Sequence, residues 1–210
     1  METTLIVVRH GETEWNSQGR IQGHFDSPLT AAGRAQAEAL ARSLAGEPIG
    51  AIYASDLGRV RDTAAPTARA LGLSVSTDLR LRERQLGVFQ GLTFTEAAQA
   101  HPERFARFKA RDLAENMETG ETLVQMRDRI AQSLAAIATA HADMTVLIVT
   151  HGGVLDQIYR LATGMPLEAQ RTFDVENASI NRLRWSQGRL VLDLWGDISH
   201  HGDRGDAPEF

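Results

Sequence analysis

Two histidines carry the chemistry of this chain. Each follows an apolar run and precedes a glycine: His10 in Leu5-Ile6-Val7-Val8-Arg9-His10-Gly11, and His151 in Val146-Leu147-Ile148-Val149-Thr150-His151-Gly152-Gly153. One Arg-His pair after such a run is ordinary surface; two runs that deliver two imidazoles are a constellation. Arg9, Arg59 beyond Ser55, and a single carboxylate, Glu83, complete the set. Two arginines, two histidines and one acid make a positive pocket. Guanidinium groups bind tetrahedral oxyanions through paired hydrogen bonds. Helix N-termini opening after Gly11 and Gly153 would offer amide donors to the same anion. The expected ligand is a phosphate group. A neutral imidazole can attack phosphorus and form a phosphohistidine. The second histidine and the arginines would hold the remaining oxygens as charge redistributes. A carboxyl kept protonated by burial or by the incoming dianion would protonate the leaving oxygen.

These groups need strands that end at one edge. Leu5–Val8 and the run from Met144 to Thr150 read as buried strands, and ligands of open α/β sheets bind at the carboxyl ends of strands. Between them the pattern gives further elements. Residues Glu12 to Gln22 read as a loop. Thr30 caps a helix with Gly33, Ala37, Leu40, Ala41 and Leu44 on one face. Ala51–Ala54 is a short strand, and Gly58–Leu71 a helix in which Pro66 marks a kink or the true first turn. Leu73–Thr77 is a weak third strand, and this βαβαβ order implies a parallel sheet with helices on its faces. Thr93 with Glu96 forms a capping box, and Pro102 opens a helix carrying Phe105 and Phe108. The stretch of about 92–120 therefore reads as a helical lid inserted into one domain spanning 1–210. Thr122–His141 is the most regular helix, and another runs from Gly153 to Thr163. Two strands, Ala178–Trp185 and Arg189–Trp195, flank a turn at Ser186-Gln187-Gly188. Residues 196–210 read as a flexible tail.

Composition narrows the partners. The chain has 210 residues, 42% of them hydrophobic, a net charge of −5 and no cysteine. That is enough to bury a core. It gives no basic surface for nucleic acid or anionic membrane, and it removes disulfides and thiolate chemistry. No apolar run approaches the ~20 residues of a membrane span. The first strand begins close to Met1, leaving no room for a signal peptide, so a cytoplasmic protein is expected. An exposed edge strand or an apolar helix face could support a homodimer.

The segment Arg9-His10-Gly11-Glu12-Thr13, with Asn16 and Arg20-Ile21-Gln22-Gly23, closely resembles the signature of the histidine phosphatase superfamily, its phosphoglycerate mutase-like branch. The resemblance continues in Leu29–Gly33, Ser55–Arg59, Thr63-Ala64, Leu81-Arg82-Glu83, Gly87, Gln90-Gly91, Gly120-Glu121 and Thr150–Gly153. It implies a three-layer α/β/α sandwich around a mainly parallel sheet, and no metal. It implies His10 as the phosphorylated nucleophile and Glu83 as the proton donor. Arg9, Arg59 and His151 would be the phosphate clamp, with Asn16, Gln22, Gly23 and Gly152 as further phosphate contacts. A small phosphomonoester, or phosphate and other oxyanions, would occupy the pocket.

The resemblance leaves two activities. The branch's mutases follow the acid with His-Tyr-Gly and carry a Lys and an Arg-Arg pair in the insertion, using 2,3-bisphosphoglycerate as cofactor. Here Arg84-Gln85-Leu86-Gly87 stands after Glu83, and Arg104, Arg107, Lys109 and Arg111 are spaced singly in a shorter insertion. Hydrolysis without a cofactor is the expectation, and the mutase is the alternative. A non-catalytic phospho-ligand module is remote, because nucleophile and acid positions are both filled. Structural roles compete at several residues: Glu83 in an ion pair with Arg80, Arg82 or Arg84, and Asn16 and Gln22 as turn caps. His24 reads as a rim residue, Asn177-Ala178-Ser179 as pocket floor or turn, and His200-His201 as solvated tail. Metal ligation by His10, His24 and His151 lacks a carboxylate at ligand spacing. A Ser55–His151–carboxylate triad lacks the Gly-x-Ser-x-Gly elbow.

Overall fold

A computed structural model describes residues 2–202. Its centre is a six-stranded sheet in the order β3-β2-β4-β1-β5-β6. The strands are β1 (Glu2–Arg9), β2 (Ile49–Ala54), β3 (Val75–Thr77), β4 (Thr145–Thr150), β5 (Ile180–Ser186) and β6 (Arg189–Asp197). The first four run parallel, and β5 and β6 are antiparallel additions beside β1.

The three layers follow from alternation along the two central strands. Leu5 and Val7 of β1, with Val146 and Ile148 of β4, face one way. Ile6, Val8, Leu147 and Val149 face the other. Both sets are buried, so each face needs a helical cover. The first face is covered by α6 (Leu123–Ala140), through Met126, Ile130, Leu134 and Ile137, and by α7 (Gly152–Thr163), through Val154, Leu155 and Ile158. The second is covered by α2 (Ala31–Leu44), through Leu40 and Leu44, and by α3 (Gly58–Leu71), through Val60 and Ala64. This is the expected α/β/α sandwich with a mainly parallel sheet.

Local signals hold where they have a mechanism. Thr30 accepts from Gly33 N–H and caps α2. Thr93 and Glu96 close a capping box on α4 (Phe94–Ala100), and Pro102 stands at the start of α5 (Pro102–Lys109). These two helices pack on a third core of Ile21, Phe89, Ala97 and Met117, to which Phe105 and Phe108 add their rings. The pair of phenylalanines therefore packs these helices onto Phe89.

Three expectations need correction. The stretch Glu12–Gln22 contains a short helix, α1 (Glu14–Ser17), because Thr13 and Asn16 form a reciprocal capping box that polar composition alone conceals. Pro66 lies inside α3 and does not mark its first turn; the helix opens at Gly58. The tail begins later than expected. Residues 196–197 complete β6, and Ser199–His201 form a 3₁₀ turn that packs against α2, so His200 and His201 are half-buried rather than solvated. The remainder of the expected tail lies outside the described residues.

Candidate active site

Strands β1 and β4 are neighbours in parallel register, Arg9 opposite Thr150, so His10 and His151 emerge side by side just past their ends. Their rings stand 5.3 Å apart in an edge-on arrangement, and both are buried. Their partners differ. His10 Nδ1 lies 2.8 Å from the carbonyl of Gly11. A carbonyl only accepts, so Nδ1 carries the hydrogen and Nε2 keeps its lone pair. Burial, and then the charges of Arg59 and Arg9, hold the imidazole well below its ordinary pKa, so it is neutral at neutral pH. His151 Nδ1 lies 3.1 Å from Arg59 Nη2, which only donates. Its hydrogen therefore sits on Nε2 and points to Ser55 Oγ at 2.9 Å. Burial first, then Arg59, keeps this ring neutral as well. Ser55 and His151 do meet, but arginine replaces the carboxylate of a triad.

Arg59 enters from the first turn of α3 and is 1% exposed. Its Nη1 donates to the Phe25 carbonyl (2.8 Å) and Asp26 Oδ1 (3.0 Å), and its Nη2 to the Gly23 carbonyl (2.8 Å). Asp26 also accepts from Gly58 N–H at 2.6 Å, capping α3, whose own N-cap Leu57 has no side chain to do so. Gly23 turns with φ +55, and a Cβ there would run into the Gln90 side chain. Arg9 donates from Nη1 to the Val175 carbonyl at 2.6 Å. Arg9 Nε, Arg59 Nε and Gln22 Oε1 are buried without a partner. All three residues line a small cavity of about 220 Å³. Buried polar atoms are normally paired, so unpaired ones around a cavity mark a ligand position. With two guanidinium groups among them, the ligand is anionic. Gln22 can turn its amide to present N–H.

Glu83 stands at the cavity wall, its carboxylate accepting from Arg84 N–H (2.6 Å) and Gly153 N–H (2.9 Å). Its backbone carbonyl is held by His24 Nε2 (2.9 Å) and Arg129 Nη2 (3.0 Å), which places His24 beneath the acid. Among the described residues none of the flanking arginines pairs with Glu83. Arg80 pairs with Asp78 and Arg82 with Asp56, while Arg84 donates to the carbonyls of Glu115 and Glu121. The expected helix-terminus donors are otherwise engaged. Gly153 N–H serves Glu83, and Gly11 N–H donates to Thr63 Oγ1 at 2.9 Å rather than opening a helix.

The small cavity brings together Arg9, His10, Asn16, Gln22, Gly23, Arg59 and Glu83. His151 lines neither this cavity nor its neighbour, and Gly152 lines a second, larger cavity of about 540 Å³. Asn16 both lines the cavity and caps α1, so its structural and ligand-facing readings coincide. Asn177 Nδ2 donates to the His10 carbonyl at 2.9 Å, and Ala178 N–H to that of Arg9 at 3.1 Å, so this segment backs the strand end. Sequence reasoning missed Asp26 as the partner of Arg59, and it weighed Ser55 with His151 only as a nucleophilic triad, not as the partner that fixes the imidazole. No local pattern marks either, since each contact joins segments far apart in the chain. Among the described residues no group of three or more His, Asp or Glu is placed to hold a metal, and no helix is long and apolar enough to cross a membrane.

A profile of the histidine phosphatase superfamily (branch 1) matches residues 5–198. The chain is 39% identical over 205 residues to phosphoglycerate mutase-like protein 4 of Arabidopsis thaliana, covering 96% of this chain and 88% of that one. It is also 39% identical over 202 residues to the metal-independent phosphoserine phosphatase of Arabidopsis thaliana, covering 94% and 83%. Among solved structures, Bacillus stearothermophilus YhfR superposes with a TM-score of 0.90 at 35% identity, covering 95% of this chain and all of that one.

Proposed function

Because this chain belongs to the histidine phosphatase superfamily (branch 1), we propose that its buried cationic cavity cleaves a small phosphomonoester through His10, without a metal. The phosphoryl group occupies the small cavity, with Arg9, Arg59 and Gln22 on its non-bridging oxygens. The Nε2 lone pair of His10 attacks phosphorus, and the bond to the leaving oxygen breaks with its electron pair going to that oxygen. Glu83 gives the leaving oxygen a proton. It then takes one from the water that hydrolyses phospho-His10, which frees phosphate and restores the imidazole. His151 acts through Arg59, whose Nη2 it receives.

The observation that carries this reading is the tautomer of His10. Its Nδ1–H is committed to the Gly11 carbonyl, which leaves a neutral Nε2 in a pocket with unpaired cationic donors. His10→Ala should lower kcat on a chromogenic phosphomonoester at least about a thousandfold while leaving the circular dichroism spectrum unchanged. Rapid-quench labelling should find acid-labile phosphate on the parent only. Turnover at the parent rate by the variant would end the assignment.

The mutase alternative has named relatives behind it, but the arginines of the insertion are engaged within the protein. Arg104 and Arg107 pair with Glu115, Arg111 with Asp156, and Arg84 with carbonyls. With 3-phosphoglycerate and 2,3-bisphosphoglycerate, with or without chelator, phosphate release and no 2-phosphoglycerate is the expected result. Interconversion of the phosphoglycerates would make 2,3-bisphosphoglycerate a cofactor and the protein a mutase.

A further inference from the structure

The loop Gly23-His24-Phe25-Asp26 stands between the two working halves of the site. The carbonyls of Gly23 and Phe25, with the carboxylate of Asp26, hold Arg59. His24 turns the other way. Its Nε2 lies 2.9 Å from the Glu83 carbonyl, which only accepts, so Nε2 carries the hydrogen. Burial chiefly holds this ring below its ordinary pKa, so the donor at neutral pH is the neutral imidazole.

The loop keeps its path without that bond. His24 N–H donates to Gln90 Oε1 at 2.8 Å, and Phe25 N–H to the Gln22 carbonyl at 3.0 Å. Both are main-chain donors, present whatever side chain residue 24 carries. What the imidazole fixes is residue 83. Glu83 lies between the 3₁₀ turns Leu79–Leu81 and Gly87–Phe89, outside every helix and strand, so no regular ladder holds its backbone. Both lone pairs of its carbonyl are used instead. One receives His24, and the other receives Arg129 Nη2 at 3.0 Å. Arg129 is itself clamped by Glu121. His24 lines neither cavity, so it reaches the substrate only through the acid. Proton transfer needs that acid within hydrogen-bond reach of the leaving oxygen, and a misplacement of about 1 Å can cost about 100-fold.

Resting on the phosphatase reading above, we propose that His24 is a positioning residue for the proton donor. Through Nε2–H it locks Glu83 to the loop that holds Arg59, so the acid and the phosphate clamp keep one fixed separation.

The test compares the parent with His24→Ala, His24→Gln and His24→Asn on phenyl phosphate and p-nitrophenyl phosphate. The two esters have similar shapes, but departing phenolate needs a proton far more than departing nitrophenolate. The quantity to read is kcat/KM, which stops at departure of the leaving group and is blind to hydrolysis of phospho-His10. With Arg129 still in place, His24→Ala should lose about 10-fold on phenyl phosphate and no more than about threefold on p-nitrophenyl phosphate. Inhibition by inorganic phosphate should stay within about threefold of the parent, because main-chain carbonyls and Asp26 still hold Arg59. Glutamine carries its amide N–H as many bonds from Cα as Nε2, and should bring phenyl phosphate back to within about threefold. Asparagine ends at the Nδ1 position, short of the carbonyl, and should behave as alanine. Equal loss on both esters, as a general loss of fold would give, overturns the inference. So do no loss on either, equal rescue by glutamine and asparagine, or weakened phosphate inhibition. In each of those outcomes the parent still turns over ester and labels His10, and the phosphatase reading stands. A parent that hydrolyses neither ester and takes up no label on His10 overturns the phosphatase reading itself.

Discussion

His10 and His151 share one local context, an apolar strand followed by His-Gly, yet end with opposite hydrogen-bonding states. His10 spends Nδ1–H on a neighbouring carbonyl and keeps a free lone pair. His151 spends both nitrogens, one on Arg59 and one on Ser55. This makes Ser55 a positioning residue. Ser55→Ala strands a fully buried Nε2–H, which should cost about 1–3 kcal/mol in denaturant unfolding. It should lower kcat more than it raises KM, because Arg59 is mis-set while the larger cavity is untouched; an unchanged kcat would show that His151 does not act through Arg59. Arg59→Lys keeps the charge but lacks the fork that reaches the Gly23 and Phe25 carbonyls and His151 together. We expect loss of both stability and phosphate affinity, read by inorganic phosphate inhibition.

At the scale of elements, the site is built by helix starts that lean on distant segments. The N-terminus of α3 is capped by Asp26, and the first turn of α7 is shaped around Glu83. A Cβ on Gly153 would lie 2.1 Å from Glu83 Oε1. Gly153→Ala should therefore displace the acid without touching His10. The loss should be about 10- to 100-fold for alkyl phosphates, whose leaving oxygen needs a proton, and much less for p-nitrophenyl phosphate. Equal loss on both would remove Glu83 from proton transfer. Helices α4 and α5 form a separate packing unit, seated on Phe89. Thr93→Ala removes the capping box of α4 and should cost about 1 kcal/mol in thermal unfolding while leaving phenyl phosphate turnover near the parent value.

For the whole molecule, two histidines buried in the neutral form tie stability to pH. Both have folded pKa values below that of the unfolded chain, near 6.5. The unfolded state then binds more protons below that pH. Their contribution is fully present above about pH 6.5 and is lost as pH falls toward the folded values, at up to about 1.4 kcal/mol per pH unit for each ring. His10→Ala should flatten this slope in urea titrations between about pH 6.5 and 5, and an unchanged slope would show that the ring is protonated while folded.

The order of strands and helices, the inward face of α2 and the paired His-Gly strand ends were all legible in the sequence. Each follows from short-range rules: apolar period, caps and glycine stops, which depend on neighbours a few residues away. The capping box of α1 is short-range too, but too brief to leave a period. What the chain alone leaves open is which group meets which across the sheet edge. Gly153 N–H serves Glu83 instead of an anion, and His151 turns to Ser55 and Arg59. Those partners lie scores of residues apart and meet only because β4 inserts between β2 and β1. Protonation state and charge balance at a site depend on distances of a few ångströms, and only the tertiary fold sets them.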